Sequence, residues 1–138
     1  MRQSMRRIMC LAAVALATGC GPTLPSKPQT YPVHGAVKLQ GSPVHGGDIE
    51  FMQVDMNAGG IEARSVITKD GEYNASSFVD QEGMVPGEYK VRLRQYVGMP
   101  GKLGVEPTTI PKKYLDYDTS GLKYTIKAED NAIDIDLE

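Results

Sequence analysis

The chain has 138 residues, fifteen Lys and Arg against seventeen Asp and Glu, and a formal net charge of −2. A length and charge of this kind allow one domain and exclude the basic footprint that nucleic-acid binding requires. Two cysteines and two histidines leave little material for a metal site or a thiol nucleophile.

The first elements are not part of the fold. Arg2, Arg6 and Arg7 precede an apolar run from Ile8 to Ala17, and Ala17-Thr18-Gly19-Cys20 follows. Basic residues, a short apolar stretch and small residues in that order make a secretory signal. The run is too short to span a bilayer, which takes about 20 apolar residues. Its end is similar to a bacterial lipobox, which assigns residues 1–19 to a lipoprotein signal peptide and makes Cys20 a lipidated N-terminus. Gly21 follows Cys20 where inner-membrane retention uses Asp, which favours the outer membrane. Removing residues 1–19 leaves twelve basic against seventeen acidic side chains, a formal charge of −5, and takes Cys10 away. The expected location is the cell envelope, with the lipid rather than the protein surface holding the chain to the membrane.

Residues 20–30 carry Pro22, Pro25 and Pro28, with Pro32 just beyond, and are expected to form an extended, semi-rigid tether. Residues 31–138 then form one domain, without a disulfide, stabilised by core packing. Its periodicity is that of strands. Val33 to Leu39 alternates, and Gln40 to Val44 turns it. Ile49 to Val54 and Glu62 to Thr68 are the next two strands. Lys69-Asp70-Gly71 turns into Glu72 to Phe78, a hairpin signal. Glu88 to Tyr96 follows Val85-Pro86-Gly87 and alternates cleanly, with Tyr89, Val91 and Leu93 inward and Lys90, Arg92 and Arg94 outward. A Gly- and Pro-rich segment runs from Val97 to Ser120, where a helix is expected only around Pro111 to Asp116. Leu122 to Ala128 and Ala132 to Leu137 close the domain. Seven short strands separated by turn signals predict an all-β sandwich.

Several of these motifs carry a resemblance. Tyr31-Pro32-Val33-His34-Gly35-Ala36-Val37, Gly41-Ser42-Pro43-Val44, Thr68-Lys69-Asp70-Gly71-Glu72-Tyr73 and Val85-Pro86-Gly87-Glu88-Tyr89-Lys90-Val91 resemble a carboxypeptidase regulatory-like domain. Ile110-Pro111-Lys112-Lys113-Tyr114 with Thr119-Ser120-Gly121-Leu122 is similar to small lipoproteins of this type that are abundant in planctomycetes. The resemblance implies a seven-stranded, transthyretin-like Greek-key β-sandwich without peptidase activity.

The residues themselves read mostly as structural. Gly35 in mid-strand marks a bulge or a close backbone approach, and Tyr73 and Tyr89 fit core positions with the hydroxyl near the rim. His34 points outward and His45 lies in a turn near Asp48 and Glu50, without the ligand number zinc needs. Asp116-x-Asp118-x-x-Gly121 has the opening spacing of a calcium loop, but the twelfth position is Lys127 rather than Glu. The competing reading is that these residues shape a turn into the next strand. Lys90, Arg92 and Arg94 form a basic stripe, which would pair across strands with Asp134, Asp136 and Glu138 if their strands were neighbours. The long segment is the expected binding loop, through Met99, Lys102 and Leu103 together with Tyr114 and Tyr117. Its alternative is to cover a sheet edge. No Ser-His-Asp set, phosphate loop or cofactor motif is present. The sequence therefore predicts a non-enzymatic envelope lipoprotein with a structural, adhesion or accessory role. The alternative is a module that binds a glycan or peptide, with an envelope protein or glycan as partner.

Overall fold

The computed structural model describes residues 26–55, 60–80, 82–99 and 101–138. The signal segment, Cys20 and most of the tether lie outside the described residues. No helix among the described residues is long and apolar enough to cross a membrane.

The fold is all-β, two sheets around one core. The first sheet is centred on β1 (Val33–Leu39). One edge of β1 pairs antiparallel with β2 (Ser42–Pro43) and β5 (Glu72–Asn74). Its other edge pairs parallel with β8 (Asn131–Ala132) and β9 (Ile135–Leu137). The second sheet has the order β4 (Glu62–Val66), β3 (Asp48–Gln53), β6 (Gly87–Arg94), β7 (Leu122–Ile126), all antiparallel.

Alternation in the sequence builds the shared core. Ile49 and Phe51 on β3, and Tyr89, Val91 and Leu93 on β6, are fully buried, as period-two placement requires. The first sheet contributes Val33, Val37, Tyr73, Ile135 and Leu137. Phe51 joins the layers: its ring lies 6.1 Å from that of Tyr73 across the core and 6.4 Å, edge-on, from that of Tyr89 on the neighbouring strand. Tyr73 donates its hydroxyl to the Ile133 carbonyl at 2.8 Å, and Tyr89 donates to the Val85 carbonyl at 2.8 Å. Burial pushes the Tyr89 phenol up to about 12 and raises that of Tyr73 further.

Among the described residues nine strands stand where seven are expected, for two local reasons. Gln40 and Gly41 both take positive φ, 51° and 79°, so a tight turn folds Ser42–Pro43 back on β1 as a two-residue strand. The expected strand Ala132 to Leu137 is split into β8 and β9. At the break, the Asp134 carboxylate accepts the Ala36 N–H at 2.9 Å in place of a backbone carbonyl. Gly35 faces this break, and a Cβ there would run into the Ile133 carbonyl. Among the described residues, helical structure is one 3-10 turn, Lys112–Leu115, entered through Pro111.

Candidate functional site

The outer face of the second sheet carries charges in register. Glu50 on β3 lies opposite Arg64 on β4 and Arg92 on β6. Its carboxylate accepts from Arg92 Nε at 2.7 Å and from Arg94 Nη1 at 3.3 Å. Burial works against ionisation of Glu50, but the two guanidiniums outweigh it and hold the carboxyl below its ordinary range. The Arg92 guanidinium lies over the Tyr117 ring, 4.6 Å from its centroid. Arg64 has no ion-pair partner among the described residues.

Beside β4 the chain leaves the sheet. Arg64 and Ser76 exchange both backbone hydrogen bonds at 3.2 Å, and the Ser77 N–H donates to the Gly83 carbonyl at 2.9 Å. These bonds close a loop that carries Phe78, Val79, Asp80 and Glu82. Between this loop, the outer face of β4 and Tyr117 lies a groove of about 680 Å³, lined also by Glu50, Glu62, Ala63 and the two serines. Such a volume lies within the usual range for ligand sites, about 300–1,000 Å³.

The end of the tether lies along the same loop. Lys27 Nζ donates to both Asp80 oxygens, at 2.5 and 2.6 Å, and stands 5.5 Å from the centroid of the Phe78 ring. That ammonium holds the Asp80 carboxyl below its ordinary range. Thr30 Oγ1 donates to the Glu82 carbonyl at 2.6 Å, and Tyr31 and Met84 exchange backbone hydrogen bonds.

The residues expected to form one binding loop occupy different settings. Met99 and Lys102 are exposed, whereas Leu103 is half-buried and packs over Gly46. The segment is fixed at its far end: His45 N–H donates to Thr108 Oγ1 at 2.8 Å and Thr108 N–H donates to the His45 carbonyl at 3.0 Å. Gln95 bridges it further, donating to the Thr108 carbonyl and accepting from the Ile110 N–H. Tyr114 is not a surface residue. It is 4% exposed in the core, with its hydroxyl accepting the Glu138 N–H at 2.9 Å. Tyr117 alone of the five lines the groove.

Asp116 and Asp118 are engaged within the protein. Asp116 Oδ1 accepts the Asp118 N–H at 2.8 Å, and Asp118 accepts from Lys90 Nζ at 2.6 Å, which lowers its pKa. Gly121 follows with a φ of 68° on the way into β7. No group of three or more His, Cys, Asp and Glu positioned to hold a metal is present among the described residues. His34 contacts Asp130 at 2.9 Å, while His45 Nδ1 bonds the Lys69 carbonyl. The condition for pairing the basic stripe with Asp134, Asp136 and Glu138 is not met, because β6 and β9 belong to different sheets. The stripe pairs instead with Glu50 and Asp118.

No sequence motif marks the groove itself. Alternating charge at Glu62 and Arg64 is a local signal of an outward face, but Lys27 and Asp80 meet across 53 positions without one. No protein-family model, curated protein or solved structure gives a significant match to this chain.

Proposed function

We propose that this protein is a non-enzymatic, lipid-anchored β-sandwich of the cell envelope that serves as an accessory module, holding a partner in the groove beside β4. The groove carries the reading. Its two aromatic rings, hydroxyls and paired and unpaired charges are the chemistry of recognition. Its best-buried carboxylate, Glu50, is locked as an anion by Arg92 and Arg94, which makes it a weak base.

The finer architecture proposed is the seven-stranded, transthyretin-like Greek key of the carboxypeptidase regulatory-like domains. Counting β8 and β9 as one interrupted strand, and β2 as the return of the β1 hairpin, leaves seven. Three lie in the order β5, β1, β8/β9 and four in the order β4, β3, β6, β7. The Tyr89 hydroxyl reaching back four residues to the Val85 carbonyl is the tyrosine-corner arrangement found in Greek-key sandwiches, which supports the reading. The anchor proposed is the lipid on Cys20, and the outer membrane is the favoured site.

The test is photocrosslinking in cells, with benzoylphenylalanine at Ser76 in the groove and at Lys38 on the other sheet. A reproducible partner captured from position 76 alone is expected. Identical captures from both positions would overturn the groove as the binding face. In parallel, Cys20→Ala is expected to release the protein from the membrane fraction, and its retention there would overturn the anchor.

A further inference from the structure

Lys27 lies four residues before the domain begins at Tyr31, yet its ammonium is seated on Asp80, 53 positions further along the chain. Both oxygens of Asp80 accept from it, and the Phe78 ring stands beside it at 5.5 Å. A carboxylate and an aromatic face together are a two-part seat for an ammonium group. The seat opens on the groove, since Phe78 and Asp80 both line it.

The charges of the groove favour a cation. Glu50 is matched by Arg92 and Arg94, and Asp80 is matched by Lys27. Glu62 and Glu82 line the same groove without an ion-pair partner among the described residues, against Arg64 as the one unpaired guanidinium in the lining. If Lys27 leaves, three uncommitted carboxylates face one guanidinium. The pair it would leave behind is weak, because its two side chains are 51% and 69% exposed.

The backbone next to Lys27 indicates the kind of molecule that fits. Thr30 and Tyr31 run beside Glu82 and Met84 through one side-chain and two backbone hydrogen bonds, so an extended chain delivers the lysine to its seat. We propose that Phe78 and Asp80 form a lysine-reading subsite of the groove, which accepts an extended polypeptide partner, and that Lys27 is its intramolecular occupant, displaced when that partner binds. This rests on the groove being the binding face.

The test uses the full chain in detergent micelles and fluorescence anisotropy with fluorescein-labelled tetralysine. Lys27→Ala removes the competitor and is expected to tighten binding about two- to fivefold, the range of an exposed ion pair. In the Lys27→Ala chain, where no competitor remains, Asp80→Asn is expected to weaken it about two- to fivefold, with Phe78→Leu weakening it less and all melting temperatures kept near that of the parent chain. Nε-acetylated tetralysine is expected not to bind. Unchanged affinity both in Lys27→Ala and on adding Asp80→Asn to it would overturn the subsite, as would equal binding of the acetylated peptide. Tighter binding of a chitosan tetramer than of tetralysine would overturn the polypeptide assignment in favour of an amino-sugar. Failure of tetralysine alongside a specific crosslink from position 76 would remove the lysine chemistry and leave the groove standing. Failure of both would remove the groove.

Discussion

Gly35→Ala is expected to open the seam that holds the last strands to β1. The added methyl would lie 2.6 Å from the Ile133 carbonyl carbon and 3.2 Å from Asp134 Oδ1. Backbone on that side cannot rotate away as a side chain would, so Ile133–Asp134 must move outward. Three hydrogen bonds converge there: Ile133 N–H to the His34 carbonyl at 2.8 Å, Ala36 N–H to Asp134 at 2.9 Å, and Tyr73 hydroxyl to the Ile133 carbonyl at 2.8 Å. Each is worth about 1 kcal/mol net, and overpacking costs about 1–3 kcal/mol. Partial relaxation leaves an expected loss of about 2–4 kcal/mol, out of about 5–15 for a domain of this size. At roughly 4 °C per kcal/mol, Tm should fall by about 8–16 °C. Circular-dichroism melts at pH 7 read this directly. Amide exchange should accelerate more at Ala36 and Ile133 than at Phe51 or Val91. A Tm loss under about 3 °C, or acceleration spread evenly over both sheets, would refute the reasoning.

Tyr89→Phe leaves the Val85 carbonyl without its donor and should cost about 1–3 kcal/mol in urea melts. The same fold raises the Tyr89 and Tyr73 pKa values, so it favours the protonated phenols. That contribution is intact below the unfolded value of about 10 and is lost as pH rises toward and through about 12. Melts between pH 8 and 12 should therefore show a steep alkaline loss, shallower in Tyr89→Phe. Glu50 behaves in the opposite sense. Its depressed pKa contributes stability above the ordinary carboxylate range, lost as pH falls through the folded value, so Glu50→Gln should flatten the acid limb of the same profile. With Asp118 held by Lys90 and Asp116 capping the Asp118 amide, millimolar calcium should leave Tm unchanged. A calcium-dependent rise abolished by Asp116→Asn with Asp118→Asn would contradict that.

The strands that sequence places best are those whose side chains alternate between water and core. On β3 and β6 every second residue is buried, and the period is visible because both faces are committed. Gly35 is legible for a related reason, since a glycine among β-formers needs a backbone explanation. The split of the last strand is not legible. Ile133 and Asp134 look like strand, and the break comes from a side-chain oxygen that substitutes for a carbonyl on another segment. Tyr114 follows two lysines in an irregular stretch and reads as surface, but its hydroxyl is satisfied by the backbone of Glu138, 24 positions away. The groove is the extreme case, because its walls come from β4, the loop after β5 and Tyr117, and the ammonium paired with its Asp80 comes from the tether. Each contributor looks locally like an ordinary solvated residue.

The position of Lys27 also bears on where the groove works. Seven peptide steps separate it from Cys20, so the two Cα atoms are at most about 25 Å apart. With Cys20 as the proposed anchor, a groove occupied by Lys27 stays close to the bilayer. When a partner takes the subsite, the nearest fixed point on the sandwich becomes Thr30, whose hydroxyl bonds the Glu82 carbonyl. Ten steps then separate the anchor from the fold, a reach of about 36 Å. An exposed ion pair is weak enough for a partner to break and strong enough to bias the unoccupied state. Partner binding and the distance from the membrane would thus be coupled through one ammonium group, and the coupling would be lost in Lys27→Ala.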